Sequence, residues 1–277
     1  MRKSLSGFLV LFLLTVVLIT LSGCNKSGGK TKRPTGGIDI SEAKLISDTT
    51  LNVGANCAYP PFESYADDGY TPLGFDIDII TEVAKRLGLK VNIIDTSFDG
   101  IFMAMGVNYD VVCSGVTVTP ERKRAMLFST PYIKNYQAVV VREDSRLKIN
   151  SLMDLSGLTV GVQKDTTSDI LLSDFKSTDT ADIQIVANEM LASSFTQLKN
   201  GEIDAVCADS TVAAGFLAKY PDDYKIVYRD ESEVEEFAIA LPMGNEALKR
   251  AIDEALNQMS AEGFIDETYE FWFGKDE

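Results

Sequence analysis

The sequence predicts an α/β protein of two lobes, in which helices flank the sheets and a cleft lies between the lobes. Three observations carry that prediction. From Leu51 onward, short apolar runs of strand length alternate with stretches of helical periodicity, the pattern that yields sheets covered on both faces. One strand pattern occurs twice, as Asp110-Val111-Val112-Cys113 before Ser114-Gly115 and as Asp204-Ala205-Val206-Cys207 before Ala208-Asp209. A length of 277 residues, 45% apolar and 24% charged, suffices for one large or two medium globular domains.

Charge and residue usage remove several function classes. Acidic residues outnumber basic ones 41 to 26, for a net charge of −15, which argues against nucleic acid as a partner. There is no histidine, so no imidazole base can serve a nucleophile mechanism, and no metal or other cofactor is expected. Cys57, Cys113 and Cys207 form no CxxC pair, and free, mostly buried thiols are expected.

The N-terminus reads as an address. Met1-Arg2-Lys3 is a positive leader, and the apolar run from Phe8 to Leu21 is short for a membrane span. It ends in Leu21-Ser22-Gly23-Cys24, which resembles the lipobox of bacterial lipoproteins. That resemblance implies a signal peptide over residues 1–23 and lipidation of Cys24, with an uncleaved anchor as the rival reading. Residues 24–44 are polar and rich in Gly, Ser, Lys and Thr, and read as a flexible tether to the membrane.

The folded body follows in order. Leu51–Gly54 reads as a strand leading to a turn at Pro60-Pro61. Ile79, Ile80, Val83, Ala84 and Leu87 fall at helical spacing within 75–87, and Gly88 supplies the stop. Val91–Ile94 is a second strand, and Ile101–Met105 lies in a short buried helix. Strands are expected at Gln137–Val141 and Leu158–Val162, with a helical turn at Ser151–Asp154 between them. Met190, Leu191, Ser194, Phe195 and Leu198 share one helix face closed by Gly201. Phe237–Leu241 reads as a strand, Leu248, Ile252, Ala255, Leu256 and Met259 mark an amphipathic helix, and aromatic residues from Tyr269 to Phe273 close the body.

Within this frame the stretch from Asp110 to Tyr132 is the candidate functional centre. An apolar strand breaks at Ser114-Gly115 into a loop of hydroxyls, and Pro120 suits the first turn of a helix that carries Arg122. A helix start, the hydroxyls of Thr117 and Thr119 and a guanidinium can together hold a small carboxylate or phosphate. The same residues also describe a plain strand, turn and helix with a solvated basic face. Ligands on sheets of this kind bind beyond the carboxyl ends of the strands, where Ser114, Gly115 and Asp209 lie.

Taken in order, the motifs resemble those of the extracellular solute-binding proteins of amino-acid ABC transporters, from about Leu51 to Gly274. They are Tyr59-Pro60-Pro61-Phe62-Glu63, Gly74-Phe75-Asp76-Ile77-Asp78, Ser97-Phe98-Asp99-Gly100-Ile101, Gly115-Val116-Thr117-Val118-Thr119-Pro120-Glu121-Arg122 and Phe128-Ser129-Thr130-Pro131-Tyr132. The pattern Asp204-Ala205-Val206 to Asp209 and the ending Trp272-Phe273-Gly274 fit as well. The resemblance implies a type II periplasmic-binding-protein fold, with two mixed sheets flanked by helices and a two-segment hinge. Lobe 1 would be residues 45–132 plus 237–277 and lobe 2 residues 133–236, with crossings near 132–136 and 233–237.

The resemblance also implies site residues for a free amino acid. Arg122 would grip the ligand carboxylate, helped by Thr117 and by the main-chain N–H of Thr167. Asp209 would receive the α-ammonium, with Ser114 and Gly115 completing that contact, and Tyr59 and Phe98 would enclose the ligand side chain. Asn56 and Gln163 are amides where relatives carry charged residues, which leans the expectation toward a polar uncharged amino acid such as glutamine. The expected partners are that amino acid, the transmembrane subunits of an ABC permease and the membrane through the N-terminal lipid, for an extracytoplasmic protein expected to be monomeric. The alternatives are an enzyme on the same fold, a dehydratase of a small carboxylic acid with Glu63 as the acid or base, or a ligand sensor. A sensor would continue into a signalling segment, and the chain's end at Glu277 speaks against that reading.

Overall fold

Two five-stranded sheets, built to one plan, organise the computed structural model, which describes residues 37–178 and 182–274. The chain opens with β1 (Thr50–Ala55), β2 (Ser64–Tyr65), β3 (Pro72–Leu73), α1 (Phe75–Arg86), β4 (Lys90–Asp95), β5 (Val111–Val112), α2 (Pro120–Ala125) and β6 (Met126–Phe128). It continues through β7 (Ile133–Asn135), β8 (Gln137–Arg142), β9 (Thr159–Gln163), α3 (Thr167–Ser177), β10 (Gln184–Asn188), α4 (Leu191–Asn200), β11 (Ala205–Asp209), α5 (Ser210–Lys219) and β12 (Tyr224–Arg229). It returns by β13 (Glu235–Phe237) to β14 (Ala240–Pro242), α6 (Glu246–Ala261) and α7 (Phe264–Phe273).

The first sheet has the order β4-β1-β5-β14-β6 and the second β10-β9-β11-β8-β12. In each, the third strand pairs parallel on one side and antiparallel on the other. The third strands are β5 and β11, the two that carry the repeated Asp-x-Val-Cys pattern. Between the sheets the chain crosses twice, at β7 and β13, and these two pair antiparallel with Glu235 opposite Asn135 and Phe237 opposite Ile133. The fold is thus α/β with two lobes and two mixed sheets.

Local sequence explains the elements nearest the cleft. Helix α1 buries Phe75, Ile79, Ile80, Val83 and Ala84, with acidic residues in its first turn and basic ones in its last, as the helix dipole favours. Helix α2 starts at Pro120, and the Thr119 hydroxyl caps it by accepting from Arg122 N at 3.1 Å. Helix α4 ends at Gly201 with φ 74°, a left-handed conformation that glycine adopts without steric cost.

Several expectations need correction. Met190 precedes α4 as its cap and is exposed, so it does not share that helix's buried face. The turn after Gly100 is a 3-10 helix over Ile101–Ala104, in which Ile101 is buried but Met103 is exposed. The expected strand 237–241 is two strands, because Phe237 pairs with β7 whereas Ala240 pairs with β5 and β6. The tether does not extend to residue 44: Ile38, Ile40 and Ala43 are buried, and Lys44 N donates to Asn245 Oδ1 at 3.1 Å. Two isoleucines anchor that segment to the core. The expected signal peptide, Cys24 and the tether up to residue 36 lie outside the described residues. Cys57, Cys113 and Cys207 are free and buried.

Candidate functional site

The two third strands end facing one another across the space between the sheets. There a cavity of about 10 Å³ remains, which is roughly the room one water molecule needs. Nine of the residues singled out from sequence line it: Tyr59, Phe98, Ser114, Gly115, Thr117, Arg122, Gln163, Thr167 and Asp209, together with Thr166. Asn56 is buried beside it and accepts from Gln163 Nε2 at 3.2 Å.

The first lobe presents its loop rigidly. Ser114 Oγ donates to Glu63 Oε1 at 2.6 Å and accepts from Asn56 N at 3.0 Å. Gly115 N donates to Asp76 Oδ2 at 2.7 Å, and Tyr132 Oη donates to Asp76 Oδ1 at 2.8 Å. Gly115 has φ 54°, and a Cβ there would lie 3.3 Å from the Tyr59 ring, so glycine suits both the turn and the close approach. Burial pushes both acids up: Asp76 to about 6, and Glu63 well above the usual carboxylate range, where the charge of Asp76 adds to the effect. Ionisation of Glu63 is therefore disfavoured. The side chain is fully buried behind Ser114 rather than on the cavity wall, so it is poorly placed to act as an acid or base on a bound molecule.

Arg122 is the cation of the site. Its guanidinium donates to Thr117 O at 3.0 Å and across the cleft to Asp165 O at 3.3 Å. Its Cζ lies 5.8 Å from the centroid of Phe98 and 5.2 Å from that of Phe102, within cation–π range. Burial works against its charge, while Glu235, Asp209 and Asp165 favour it.

The second lobe presents a carboxylate. Asp209 occupies the cap position of α5, yet its side chain makes no capping bond. Instead Oδ1 accepts from Asn135 Nδ2 at 2.7 Å and Gln137 Nε2 at 2.9 Å, and Oδ2 accepts from Tyr59 Oη of the other lobe at 2.5 Å. Burial, reinforced by the charge of Glu235, pushes the Asp209 carboxyl up to about 7 against the pull of these three donors. Tyr59 is thus a bridge between lobes, its ring stacked on Phe62 at 6.2 Å, while Phe98 packs edge-on against Phe102 at 5.8 Å. Thr117 Oγ1 and Thr167 Oγ1 stand 3.5 Å apart, and the Thr166 hydroxyl caps α3.

At the Gln163 end the amide orientations are forced. Asn56 Nδ2 donates to Thr96 O, and its Oδ1 accepts from Gln163 Nε2, which also donates to Glu189 O at 3.1 Å. Gln163 Oε1 is buried with no partner, a costly condition for an acceptor.

Sequence reasoning missed Asn135, Gln137, Glu235, Thr166 and Phe102. Glu235 Oε2 accepts from Gln137 Nε2, Asn135 Nδ2 and Thr117 Oγ1 at 3.0, 3.2 and 3.3 Å. Asn135, Gln137 and Glu235 lie in or next to the crossing segments, and polar residues amid strand-forming ones were the available signal there.

The model of the bacterial extracellular solute-binding proteins, family 3, matches residues 51–275. The L-cystine-binding protein TcyJ of Escherichia coli (strain K12) is 32% identical over 234 residues, which cover 84% of this chain and 86% of TcyJ. Among solved structures, an ancestral arginine-binding protein bound to arginine matches with a TM-score of 0.76 at 38% identity, over 81% of this chain and 98% of that one. An ancestral arginine-binding protein bound to glutamine matches with a TM-score of 0.75 at 37% identity, over 82% and 98%.

Proposed function

The chain belongs to the bacterial extracellular solute-binding proteins of family 3, and from that premise we propose that it is the extracytoplasmic receptor of an ABC importer for a free L-amino acid. One observation carries the proposal: a buried cavity between the lobes has a guanidinium, Arg122, on one wall and a carboxylate, Asp209, on the other. A zwitterion complements that arrangement, its carboxylate toward Arg122 and Thr117 and its α-ammonium toward Asp209. The N-terminus of α3 at Thr167 adds backbone N–H groups on the carboxylate side.

The cavity is too small for an amino acid, so entry requires the lobes to part. The two crossings, β7 and β13, are the segments about which they would turn. Closure would bring Arg122 and Asp209 onto the ligand together and present a surface to the permease. The receptor would act as a monomer held to the membrane through lipid on Cys24.

The ligand side chain would lie toward Phe98, Asn56 and Gln163. Gln163 Oε1 is a buried acceptor without a donor, and no carboxylate joins the Asn56–Gln163 pair. A side chain that brings an N–H donor without a full charge satisfies that wall best. This favours a polar uncharged amino acid such as glutamine over arginine. The enzyme reading has no comparable support, because Glu63 sits behind Ser114.

Thermal unfolding against the common free amino acids and cystine tests the proposal. A ligand at about a thousand times its dissociation constant adds roughly 4 kcal/mol to the native state. A midpoint rise with glutamine or another neutral polar amino acid, abolished by Arg122→Ala, is the expected result. A rise with arginine or lysine alone would overturn the ligand assignment, and no rise with any of them would overturn the receptor reading.

A further inference from the structure

Asp209 is not the lone carboxylate of its wall. Asn135 Nδ2 and Gln137 Nε2 each donate to both Asp209 Oδ1 and Glu235 Oε2, at 2.7 to 3.2 Å, so the two acids straddle the same pair of amide nitrogens. The amides cannot turn around. Asn135 Oδ1 accepts from Thr211 Oγ1 at 3.1 Å and Ser210 Oγ at 3.3 Å, and Gln137 Oε1 accepts from Ser168 Oγ at 2.6 Å. The donors to the two acids are neutral amides and hydroxyls, so no hydrogen bond to either acid comes from a cation. Arg122 attracts both acids but hydrogen-bonds to neither, its guanidinium donating instead to the carbonyls of Thr117 and Asp165. Asp209 lines the cavity and half-buried Glu235 adjoins it through the shared amide nitrogens, so a compact cation with several donors suits the pair.

We propose that Glu235 is a second carboxylate of the amine subsite, sharing with Asp209 the protons of the ligand's ammonium, so that the site selects a primary α-amine and rejects N-alkylated amino acids. The inference rests on the receptor reading above and extends it. A primary ammonium has three N–H donors, enough for Asp209, Glu235 and a third acceptor. Alkylation removes one donor and inserts a carbon between the two acids. Thr117 ties the pair to the carboxylate end, since its hydroxyl donates to Glu235 and its carbonyl accepts from Arg122.

Charge also fixes a proton effect. The charged or titratable groups that act on Asp209 are Glu235 from β13, Tyr59 from the segment after β1, Arg122 from α2 and Cys207 on its own strand. Burial and Glu235 raise the Asp209 carboxyl to about 7, so it takes up protons as the pH falls to neutral. An arriving ammonium needs the ionised form, so binding expels that proton to the buffer.

Titration calorimetry on the purified protein tests this, with L-glutamine, L-arginine, L-cystine and the Nα-methyl derivatives of the first two. Repeating the titration in buffers of different ionisation enthalpy counts protons. The wild type should bind one parent amino acid and its Nα-methyl form roughly 10–100-fold more weakly, as expected for a lost charge-assisted hydrogen bond in a buried site. It should release protons on binding at pH 7, because the Asp209 carboxyl stands at about 7 before the ligand arrives. Glu235→Gln should weaken the parent by roughly tenfold, narrow the Nα-methyl penalty to a few-fold and reduce the proton release, while Glu235→Asp restores part of each. Unchanged penalty and proton release in Glu235→Gln would overturn the proposal. Wild-type binding with no proton released, or with the Nα-methyl form bound as well as its parent, would do so without any variant. If no amino acid binds the wild type, the receptor reading falls first and takes this inference with it.

Discussion

The ends of β5 and β11 share a strand pattern and a place at the centre of their sheets, yet they meet the cavity with opposite chemistry. Beyond β5, the buried acids Glu63 and Asp76 stand behind the wall and fix Ser114 and Gly115, leaving the cavity surface to neutral donors and the Arg122 guanidinium. Beyond β11, the acid is the surface, and the neutral amides of Asn135 and Gln137 stand behind Asp209. The same acid type thus serves as frame in one lobe and as recognition group in the other. Position decides between them: the acids behind the wall spend their oxygens on Ser114, Gly115 and Tyr132, whereas Asp209 stands on the cavity wall where a ligand can reach it.

The largest effects should come from removing the two groups that define this opposition. Asp209→Asn and Arg122→Ala should each weaken amino-acid binding by roughly 100-fold or more, because each leaves a buried ligand charge unpaired. Equilibrium binding of the amino acid found by thermal shift checks this. A loss under tenfold for either variant would mean that the opposed charges do not hold the ligand.

Both frame acids and the recognition acid should leave a mark on stability against pH. The Asp209 carboxyl rises from 3.8 to about 7 on folding and that of Asp76 to about 6. The folded chain therefore holds protons that the unfolded chain releases. That contribution is full below pH 3.8 and is lost as pH rises toward 7. Denaturant unfolding of the ligand-free protein should show these groups lowering stability across the window, with a shallower decline in Asp209→Asn. Ligand affinity should move the other way and strengthen up to neutral pH. An identical slope in Asp209→Asn would show that this carboxyl does not titrate there.

The frame reading sharpens further at Glu63. If it holds its proton, Glu63→Gln replaces one neutral hydrogen-bonding group by another of similar shape and should cost about 1 kcal/mol or less. Glu63→Ala opens a cavity and strands the Ser114 hydroxyl, which should cost roughly 2–4 kcal/mol. Chemical denaturation of the pair separates the two effects, and a large cost for the glutamine variant would mean that Glu63 is ionised in the folded protein.

How much of this was legible depends on how local the signal is. The cap of α2, the Gly115 turn and Arg122 lie within a dozen residues, so their joint meaning can be read along the chain. Asp209 was legible because its strand repeats the pattern of β5. Glu235 was not: its role depends on β7 and β13 pairing across 100 residues, and nothing near it in the chain indicates Asn135. Helix α5 was missed for a different reason. Its segment Ser210–Lys219 is apolar on most faces and gives little periodic contrast. The docking of Ile38 and Ile40 was hidden because two isoleucines in a polar stretch resemble a tether.

The smallest effect should come from a salt bridge that joins the lobes at the cavity's edge. Lys164 Nζ lies 2.5 Å from Asp99 Oδ2, reaching from the turn after β9 to the loop beside Phe98, with side chains 47% and 37% exposed. It links the walls as Tyr59 and Asp209 do, but in water, where an ion pair contributes about 1 kcal/mol or less and salt screens it. Lys164→Ala should therefore weaken ligand binding by less than about fivefold, and the deficit should vanish near 1 M salt. Tyr59→Phe removes a lobe-to-lobe bond of the same length from a buried carboxylate, and it should change binding or stability by more than Lys164→Ala does, with no such salt dependence. If the lysine variant had the larger effect, closure would be governed by the rim of the cleft, and the contrast between the two strand ends would no longer account for how the lobes are held together.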